Sequence, residues 1–495
     1  MFKRPISLLA KKIYSIPFIV SVMVVLGPLT STFLRLTNSG YHDDQRVLEV
    51  LCLSLGALLL ILNLWCDTPV WVSIGKPIAG LIAIFFIFGF FSSVTAYSPR
   101  HALYEWSSFG LLLLLGGIIA NEVAKNSKQQ LDLVLLVLGA GCALYIFNVA
   151  LVYVWVLQSG TQLYAYEFII GFTNHRFFNH IQTTSLPLLG LLTLRSVQRG
   201  PTTTNPAHYW WVLLSLWWML LFLSAGRGTF VGILAGMTMV IFWQGRQALP
   251  WCRVMLLSAI AGLAAYIVFF ILLPILMGLQ PFWLLNEIVE RSIENPGSSR
   301  GALWQRAIEM TMSRPLLGAG PLHFAHYGRD INMGAHPHGW PLQIAAEWGI
   351  PALLCLSSVI FIAVRKLLDS TRMIALNDLK NQAVLSTWLA TGIAILTDGL
   401  VSGLIVMPSS QLWIVIYIGC AWGWTSSFSQ DGGAEKLNIP IKIKIGLSFL
   451  VLIMLSFLWN GLWPEIMNLQ GRQNTESELH PGIRLAPRIW GSGYF

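Results

Sequence analysis

Repeated apolar runs of about 20 residues most strongly constrain what this chain can fold into. The apolar core of a bilayer is about 30 Å thick, so a run of this length is what one helical crossing requires. The chain as a whole is 55% hydrophobic and only 11% charged. Because backbone groups inside lipid must be hydrogen bonded within the protein, each run is predicted to be a helix.

The runs predict an all-α, polytopic membrane helical bundle of about 12–13 transmembrane helices. Transmembrane helices 1–9 are assigned to residues 1–276, a large outer loop of short amphipathic helices to 277–339, helices 10–13 to 340–460, and a C-terminal tail, expected on the outer side, to 461–495. The predicted spans are 13–34, 46–65, 74–96, 101–120, 131–157, 180–195, 208–224, 228–243, 254–276, 340–364, 383–405, 410–428 and 443–460.

Lysine and arginine are distributed unevenly between the two sides of the predicted bundle. With the N-terminus inside, 18 of the 31 basic residues fall in inner segments, which agrees with the positive-inside rule. All 11 lysines fall inside, whereas all 13 outer basic residues are arginines. A guanidinium is planar, permanently charged and able to donate paired hydrogen bonds, so this bias predicts phosphate binding at the outer face.

The outer loop contains two amphipathic stretches, WLLNEIVERSIEN at 283–295 and RGALWQRAIEMTM at 300–312, which begins with Arg300. Two interpretations stay open. The stretches are surface helices that only cover the bundle, or they form a lid or binding surface, as loops of this length more often do.

Two further outer motifs place an arginine where a predicted span begins. GFTNHRFFNHIQTT at 171–184 contains Arg176, and LSAGRGTFVG at 223–232 places Arg227 between two glycines. Glycines let a ligand approach the backbone, and the amides of a helix N-terminus attract anions. The alternative for Arg227 is a tight hairpin whose arginine reaches the lipid headgroups.

His336 and His338 stand where the outer loop enters a predicted span, and Glu347 lies about 2.5 turns into that helix. The histidines have three interpretations: metal binding, capping of the next helix, or general-base catalysis. Few carboxylates and no cysteine accompany them as metal ligands, whereas imidazole titrates near neutral pH and can accept a hydroxyl proton. Glu347 is ionisable within a span, so it is predicted to orient a partner or to pair with an arginine. Asp398 is a weaker candidate of the same kind.

SRGALWQRAIEMTMSRPLLGAGPLHF, followed by AHPHGWPLQIAAEWGIPALL, resembles the shared core of bacterial O-antigen ligases, O-antigen polymerases and pilin-type protein O-oligosaccharyltransferases. The resemblance rests on an arginine, a tryptophan four residues later, a P-L-x-G-x-G turn, a histidine pair, and a helix with a glutamate before G-I-P. AGRGTF at 225–230 resembles the upstream arginine motif of that family. Family members often have asparagine after the second histidine, where this chain has Gly339.

The resemblance implies an inverting glycosyltransferase that needs no metal and no cofactor. Its donor would be a polyprenyl-diphosphate-linked glycan at the periplasmic face of the bacterial inner membrane. Carried over to this chain, the resemblance implies that Arg176 and Arg227 bind the diphosphate with help from Arg300, and that His338 is the catalytic histidine, supported by His336.

The acceptor stays open between three members of the family. Lipid A–core is the leading prediction, a serine or threonine of a pilin-like protein is the second, and a growing glycan, as in a polymerase, is the third. A transporter of lipid-linked saccharides is the rival from another class. A transporter should carry ionisable groups at the bilayer midplane, whereas here they gather at the outer mouth. Membrane lipid is an expected partner and nucleic acid is not.

Overall fold

The computed structural model of the protein describes the residues that make up most of the chain. They are residues 16–33, 35–37, 39–65, 70–72, 74–161, 165–198, 207–281, 300–428, 435–436, 440–469, 471, 474 and 487–493. The predicted amphipathic stretch at 283–295 lies outside the described residues.

The fold is all-α, as predicted, and each of the predicted spans contains a helix. One short antiparallel strand pair, β1 (Val70–Trp71) with β2 (Glu435–Lys436), accompanies the helices. The helices are α1 Ile16–Phe33, α2 Tyr41–Trp65, α3 Lys76–Val94, α4 Pro99–Lys125, α5 Ser127–Ser159, α6 His175–Gln198, α7 Ala207–Ser224, α8 Arg227–Gln244, α9 Leu249–Tyr266, α10 Leu273–Leu276, α11 Arg300–Ser313, α12 Phe324–Tyr327, α13 Trp340–Trp348, α14 Ile350–Met373, α15 Leu379–Gly399, α16 Pro408–Ser426 and α17 Ile441–Ile466.

Eight helical segments of the described chain are long and apolar enough to cross a membrane. They include α2, α3, α4, α5, α14 and α17, together with α8 extended to Gln247 and the continuous stretch from α9 to α10. Two shorter apolar helices, Ile16–Val25 and His208–Ser224, accompany them. The protein is therefore a multi-pass membrane protein, and the total of 12–13 crossings stays a prediction.

Proline lies in the first turn of several helices. Pro77, Pro99, Pro250, Pro341 and Pro408 lie in the first turns of α3, α4, α9, α13 and α16. A first-turn position suits proline because its backbone has no N–H to leave unbonded and its φ angle is already close to the helical value. These helix starts are therefore set locally by the sequence.

The described chain divides into two compact units. Unit 1 comprises Met1–Phe33, Lys128–Ser298 and Leu367–Asp398. Within it, α7 packs against α6 and α9, and α6 also packs against α8. Gly232 and Gly236 lie on one face of α8, against the backbone carbonyls of Ala394 and Ala390 on α15. Small residues at this spacing let two membrane helices approach closely.

Unit 2 comprises Leu34–Ser127, Ser299–Lys366 and Gly399–Phe495. Its central helix is α4, against which α2, α3, α16 and α17 pack. The amphipathic stretch at 300–312 is helical, as predicted, and forms most of α11, which packs against α13. A small apolar core between them contains residues such as Leu303, Met310, Phe324 and Ala346.

The structure divides the single predicted span 340–364 into two helices, α13 and α14, at Gly349. This residue has a φ of 89°, a conformation that side chains rarely adopt. A Cβ atom added there would collide with the backbone carbonyl of Leu316. The interruption therefore comes from docking of the preceding turn, which hydropathy does not reveal.

Candidate functional site

The two histidines of the AHPHGW motif lie side by side at the N-terminal end of α13. Their ring centroids are 4.1 Å apart, and the backbone N–H of His338 donates to Nδ1 of His336 at 3.3 Å. His336 is buried, whereas His338 is partly exposed. The two rings are therefore in direct contact within unit 2.

The backbone of His338 is in the left-handed region, with a φ of 54°. A non-glycine residue there costs about 1–2 kcal/mol, and such residues persist where surrounding contacts impose them. Strain of this kind at a partly exposed histidine is more typical of a functional site than of a simple loop.

The structure does not favour the capping interpretation of the histidines. Gly339 occupies the N-cap position of α13, with no side-chain cap hydrogen bond. His336 packs instead against Gly403, where an added Cβ would collide with the imidazole ring. Gly403 lies after α15 in the chain, so close packing from a distant segment holds the buried ring in place.

Glu347, in the last turn of α13, is fully buried. Its Oε1 accepts the backbone N–H of Phe324 at 2.8 Å, and its Oε2 accepts Nη2 of Arg488 at 2.9 Å. Of the two predicted roles for Glu347, these contacts favour pairing with an arginine. The arginine comes from the C-terminal tail, for which no function was predicted from the sequence.

The P-L-x-G-x-G turn and the G-I-P sequence of the family motif pack against each other. Gly318 has a φ of 72°, and a Cβ added to it would lie 2.5 Å from the carbonyl carbon of Glu347. The backbone N–H groups of Ala319 and Gly320 donate to the carbonyls of Ala346 and Glu347 at 2.8 and 3.0 Å. These bonds join the turn to the C-terminal end of α13.

His323 belongs to the packing of this turn. It is fully buried, its Nδ1 donates to the carbonyl of Pro321 at 2.9 Å, and its Nε2 accepts the backbone N–H of Ser98 at 2.9 Å. Burial lowers the pKa of His323 from 6.5 to about 4. His323 is therefore neutral at neutral pH and serves to join the turn to the start of α4.

The two arginines of α11 differ in position. Arg306 donates through two nitrogens to the carboxylate of Asp330, each at 2.8 Å, and it also bonds the carbonyl of Tyr327. The hydrogen bonds to this carboxylate raise the pKa of Arg306. Arg306 thus connects α11 to the segment after α12. Arg300 is the first residue of α11 and is partly buried.

In unit 1, the polar motif at 171–184 forms a buried hydrogen-bonded network with α8 and α15. Thr229 donates to the carbonyl of Asn179 at 2.9 Å, and Thr183 donates to the carboxylate of Asp398 at 2.6 Å. Thr183 and Thr229 are 2.8 Å apart at their hydroxyls. Asp398 thus binds the hydroxyls of neighbouring helices, and these bonds fix α6 beside α8.

Arg176 and Arg227 occupy the first turns of these two bonded helices. Arg176 precedes Asn179 by three residues, Arg227 precedes Thr229 by two, and both side chains are exposed. Asn174 accepts the backbone N–H of Arg176 at 2.9 Å and so caps α6. Unit 1 therefore carries both predicted diphosphate ligands at the same end, beside two helix N-termini.

The reason predicted for the first glycine of the AGRG motif was wrong. A Cβ added to Gly226 would lie 2.5 Å from Leu221 and 2.7 Å from Asn179. Gly226 is buried, so its small size makes room for these protein side chains and not for a ligand. The preceding Ala225 has a φ of 51°, which turns the chain sharply from α7 into α8.

Residues 211–357 match the O-antigen ligase family. This match confirms the predicted resemblance over the segment that contains Arg227, Arg300, both histidines and Glu347. The segment is therefore similar to O-antigen ligases. Arg176 and Arg488 lie outside it. A comparison with curated proteins gives no match.

Ion pairs within the protein also account for part of the arginine excess on the predicted outer side. Five of these arginines form ion pairs with carboxylates in unit 2, because the planar guanidinium matches carboxylate as well as phosphate. They are Arg35, Arg46, Arg100, Arg306 and Arg488. For these five, the prediction of phosphate binding is not supported.

The ion cluster around Glu347 contains two buried residues, Glu105 and Arg488, that were not predicted from the sequence. Glu105 lies within a predicted span and is 5% exposed, and its carboxylate accepts Nη2 of Arg488 at 2.8 and 2.9 Å. An ionisable residue inside an apolar span was the signal that could have identified Glu105. Arg488 had no comparable signal, because it does not lie in an apolar run of membrane length.

Among the described residues, no group of three His, Cys, Asp or Glu side chains could hold a metal ion. His323 instead bonds Pro321 and Ser98. The rings of His336 and His338 pack against each other in the histidine loop, residues 335–339. Metal independence of the reaction stays a prediction.

Proposed function

We propose that this protein is an inverting glycosyltransferase that moves a saccharide from a polyprenyl-diphosphate carrier to an acceptor hydroxyl. The observation that carries the proposal is the match of residues 211–357 to the O-antigen ligase family. The strained, partly exposed His338 lies within that segment, directly before α13. We propose the periplasmic face of the inner membrane as the place of reaction and lipid A–core as the acceptor.

His338 is the proposed general base. A sugar hydroxyl ionises too weakly near neutral pH to attack unaided, and a positioned base contributes roughly 10²–10⁴-fold. The acceptor proton passes to the imidazole as the acceptor oxygen forms a bond to the anomeric carbon. The bond from that carbon to the diphosphate breaks on the opposite face, so the configuration inverts.

Arg176 and Arg227 are the proposed ligands of the leaving diphosphate, with help from Arg300. The exposed guanidinium groups and the two adjacent helix N-termini of unit 1 support this assignment, because both attract anions. Negative charge grows on the diphosphate as the glycosidic bond breaks, and each such donor typically contributes a few kcal/mol to transition-state stabilisation. No metal or cofactor takes part in this proposal.

His336 and Glu347 are proposed as supporting residues. The Nδ1 atom of His336 accepts the backbone N–H of His338, so His336 stabilises the conformation of its neighbour. Glu347 is fully buried and bonded to Phe324 and Arg488, which suits the positioning of α13 better than contact with substrate.

The test is transfer in vitro by the purified protein in nanodiscs. A defined glycan on polyprenyl diphosphate is offered together with lipid A–core, with a pilin-like protein, or with a second molecule of glycan carrier. Mass spectrometry then identifies which acceptor gains the mass of the glycan. A gain on lipid A–core supports ligation, and a gain on pilin or on the carrier glycan replaces it with one of the other two family reactions.

Transport is measured on the same sample. If no acceptor gains mass while the lipid-linked glycan crosses the bilayer of a reconstituted vesicle, the transferase proposal is wrong and the transporter interpretation replaces it. The His338→Gly variant is the matched control for glycan transfer, because glycine adopts the left-handed conformation without strain and lacks the base.

A further inference from the structure

The C-terminal segment Arg488–Gly493 is hydrogen bonded to four helices of unit 2. The carbonyl of Arg488 accepts Nη2 of Arg46 on α2 at 2.7 Å and Nε2 of His42 at 3.2 Å. The backbone N–H of Gly491 donates to Asp43 at 2.6 Å. The segment is thus hydrogen bonded along its backbone as an internal ligand would be.

Two side chains of the segment enter the interior beside carboxylates. Arg488 is 1% exposed and lies between Glu105 on α4 and Glu347 on α13. Trp490 is buried, and its Nε1 donates to the carboxylate of Glu465 on α17 at 2.8 Å. Each of the two side chains therefore donates a hydrogen bond to a carboxylate that is buried between the helices.

The positive charge of Arg488 compensates two buried carboxylates. Glu105 and Glu347 are both buried, and isolated buried carboxylates are strongly destabilising. The guanidinium of Arg488 bonds both carboxylates through Nη2, over distances of 2.8 to 3.2 Å. Removing one partner of a buried ion cluster is costly because it leaves the opposite charges uncompensated.

The geometry points to Arg488 as a positioning residue for the proposed catalytic histidine. Glu347 lies in the last turn of α13, and α13 begins two residues after His338. The helix is nine residues long, about 13 Å, so a displacement at its Glu347 end moves the end that carries the histidine loop. The strained backbone of His338 depends on such external support.

We therefore propose that the C-terminal segment completes the active site by holding α13, and that it does so through Arg488. The inference rests on the proposed function for its catalytic readout. Its structural readout, the protection of α13, is independent of any activity. The segment lies 141 residues beyond Glu347 in the chain and outside the part that matches the O-antigen ligase family.

The test uses three variants of the full-length protein in nanodiscs. Arg488→Met removes the cation and keeps much of the side-chain volume. Arg488→Met combined with Glu105→Gln and Glu347→Gln makes the cluster neutral. Arg35→Met is the matched control, because Arg35 pairs with Asp44 in the same unit but its side chain is 40% exposed. Amide hydrogen exchange is followed in peptides that cover residues 321–324 and 340–348.

In Arg488→Met we expect exchange in α13 to accelerate at least tenfold and kcat to fall at least tenfold. KM for the donor should change less than threefold, because the side chain of Arg488 bonds Glu105 and Glu347, neither of which is a proposed diphosphate ligand. The triple variant should recover most of the protection of α13, since neutral groups of similar shape can replace a buried ion cluster. Arg35→Met should resemble the wild type in both measurements.

Wild-type exchange rates in α13 of Arg488→Met would overturn the proposal, and so would a triple variant no better protected than the single one. If Arg488→Met fails to insert, the triple variant decides, because the proposal requires it to insert and to protect α13. If the wild-type protein transfers no glycan at all, the proposed function fails, whereas the exchange data still test the role of Arg488.

Discussion

At the scale of single residues, Arg227 offers the sharpest distinction between a substrate ligand and a membrane anchor. Lysine reaches the headgroups as well as arginine does, so Arg227→Lys should be tolerated if the residue only anchors α8. If Arg227 holds two diphosphate oxygens through its planar fork, lysine loses the paired geometry. We expect Arg227→Lys to lose at least 90% of transfer activity, roughly 1.4 kcal/mol or more, with normal expression and insertion.

Arg253→Lys is the matched control for this substitution. Arg253 is exposed on α9 and predicted to face the inner side, so its replacement should leave glycan transfer unchanged. Initial rates in membranes, normalised to the amount of inserted protein, provide the comparison. Near-normal transfer by Arg227→Lys would mean that this arginine only anchors α8 at the lipid headgroups.

Replacing His338 tests the general base. His338→Ala should reduce kcat about 10²–10⁴-fold while donor binding persists, because the imidazole acts on the acceptor proton. His336→Ala should be milder, since His336 only supports its neighbour. His338→Gly removes the backbone strain, so a stable but inactive His338→Gly protein would separate chemistry from folding. Activity above a few per cent of wild type in His338→Ala excludes the base assignment.

The buried His323 predicts a pH dependence of stability in the turn before α12. Its pKa is about 4 in the folded protein and near 6.5 when unfolded, so it contributes no pH dependence above about pH 6.5. As the pH falls from about 6.5 to 4, the unfolded state binds a proton that the folded state does not, and stability is lost. The protection of peptides covering 315–328, measured against the intrinsic exchange rate at each pH, should therefore fall more steeply over this window than in His323→Gln. Parallel profiles for the two proteins would contradict the expectation.

At the scale of elements, the docking of the glycine turn against α13 makes Gly318 intolerant of a side chain. Gly318→Ala adds a Cβ 2.5 Å from the backbone of Glu347 at a φ of 72°. We expect a loss of at least about 2 kcal/mol in local stability, seen as faster exchange in α13 and lower transfer activity. Unchanged exchange would mean that the turn does not hold the helix.

Gly301→Ala is the control at this scale. Gly301 lies in the first turn of α11, and nothing lies within 4 Å of a Cβ added there. Alanine favours the helix over glycine by up to about 1 kcal/mol, so this variant should be as stable as the wild type or slightly more so. The pair of substitutions separates the effect of the docking contact from that of an added methyl group.

At the scale of the whole molecule, the proposed mechanism predicts catalysis without a divalent metal. Arginines and helix N-termini would supply the positive charge that magnesium or manganese supplies to many other diphosphosugar enzymes. Transfer by the purified protein should therefore proceed at an unchanged rate in EDTA. Loss of activity in EDTA that magnesium or manganese restores would contradict this.

The sequence by itself determined the helical, multi-pass architecture and the resemblance to O-antigen ligases. Apolar runs of membrane length are local properties, so helices were predicted in the right places without knowledge of their packing. The family motif around His336 and His338 was equally visible, because its residues lie close together in the chain. The same holds for the helix starts marked by proline, such as Pro341.

Tertiary structure alone decided which polar groups support the histidine loop. Arg488 lies 383 residues from Glu105 and 141 from Glu347, and no periodicity or spacing connects residues so far apart. The break at Gly349 likewise depends on a turn that docks from outside the helix. Burial of charge is a property of the folded chain, since a carboxylate requires a partner only where packing has removed water from it.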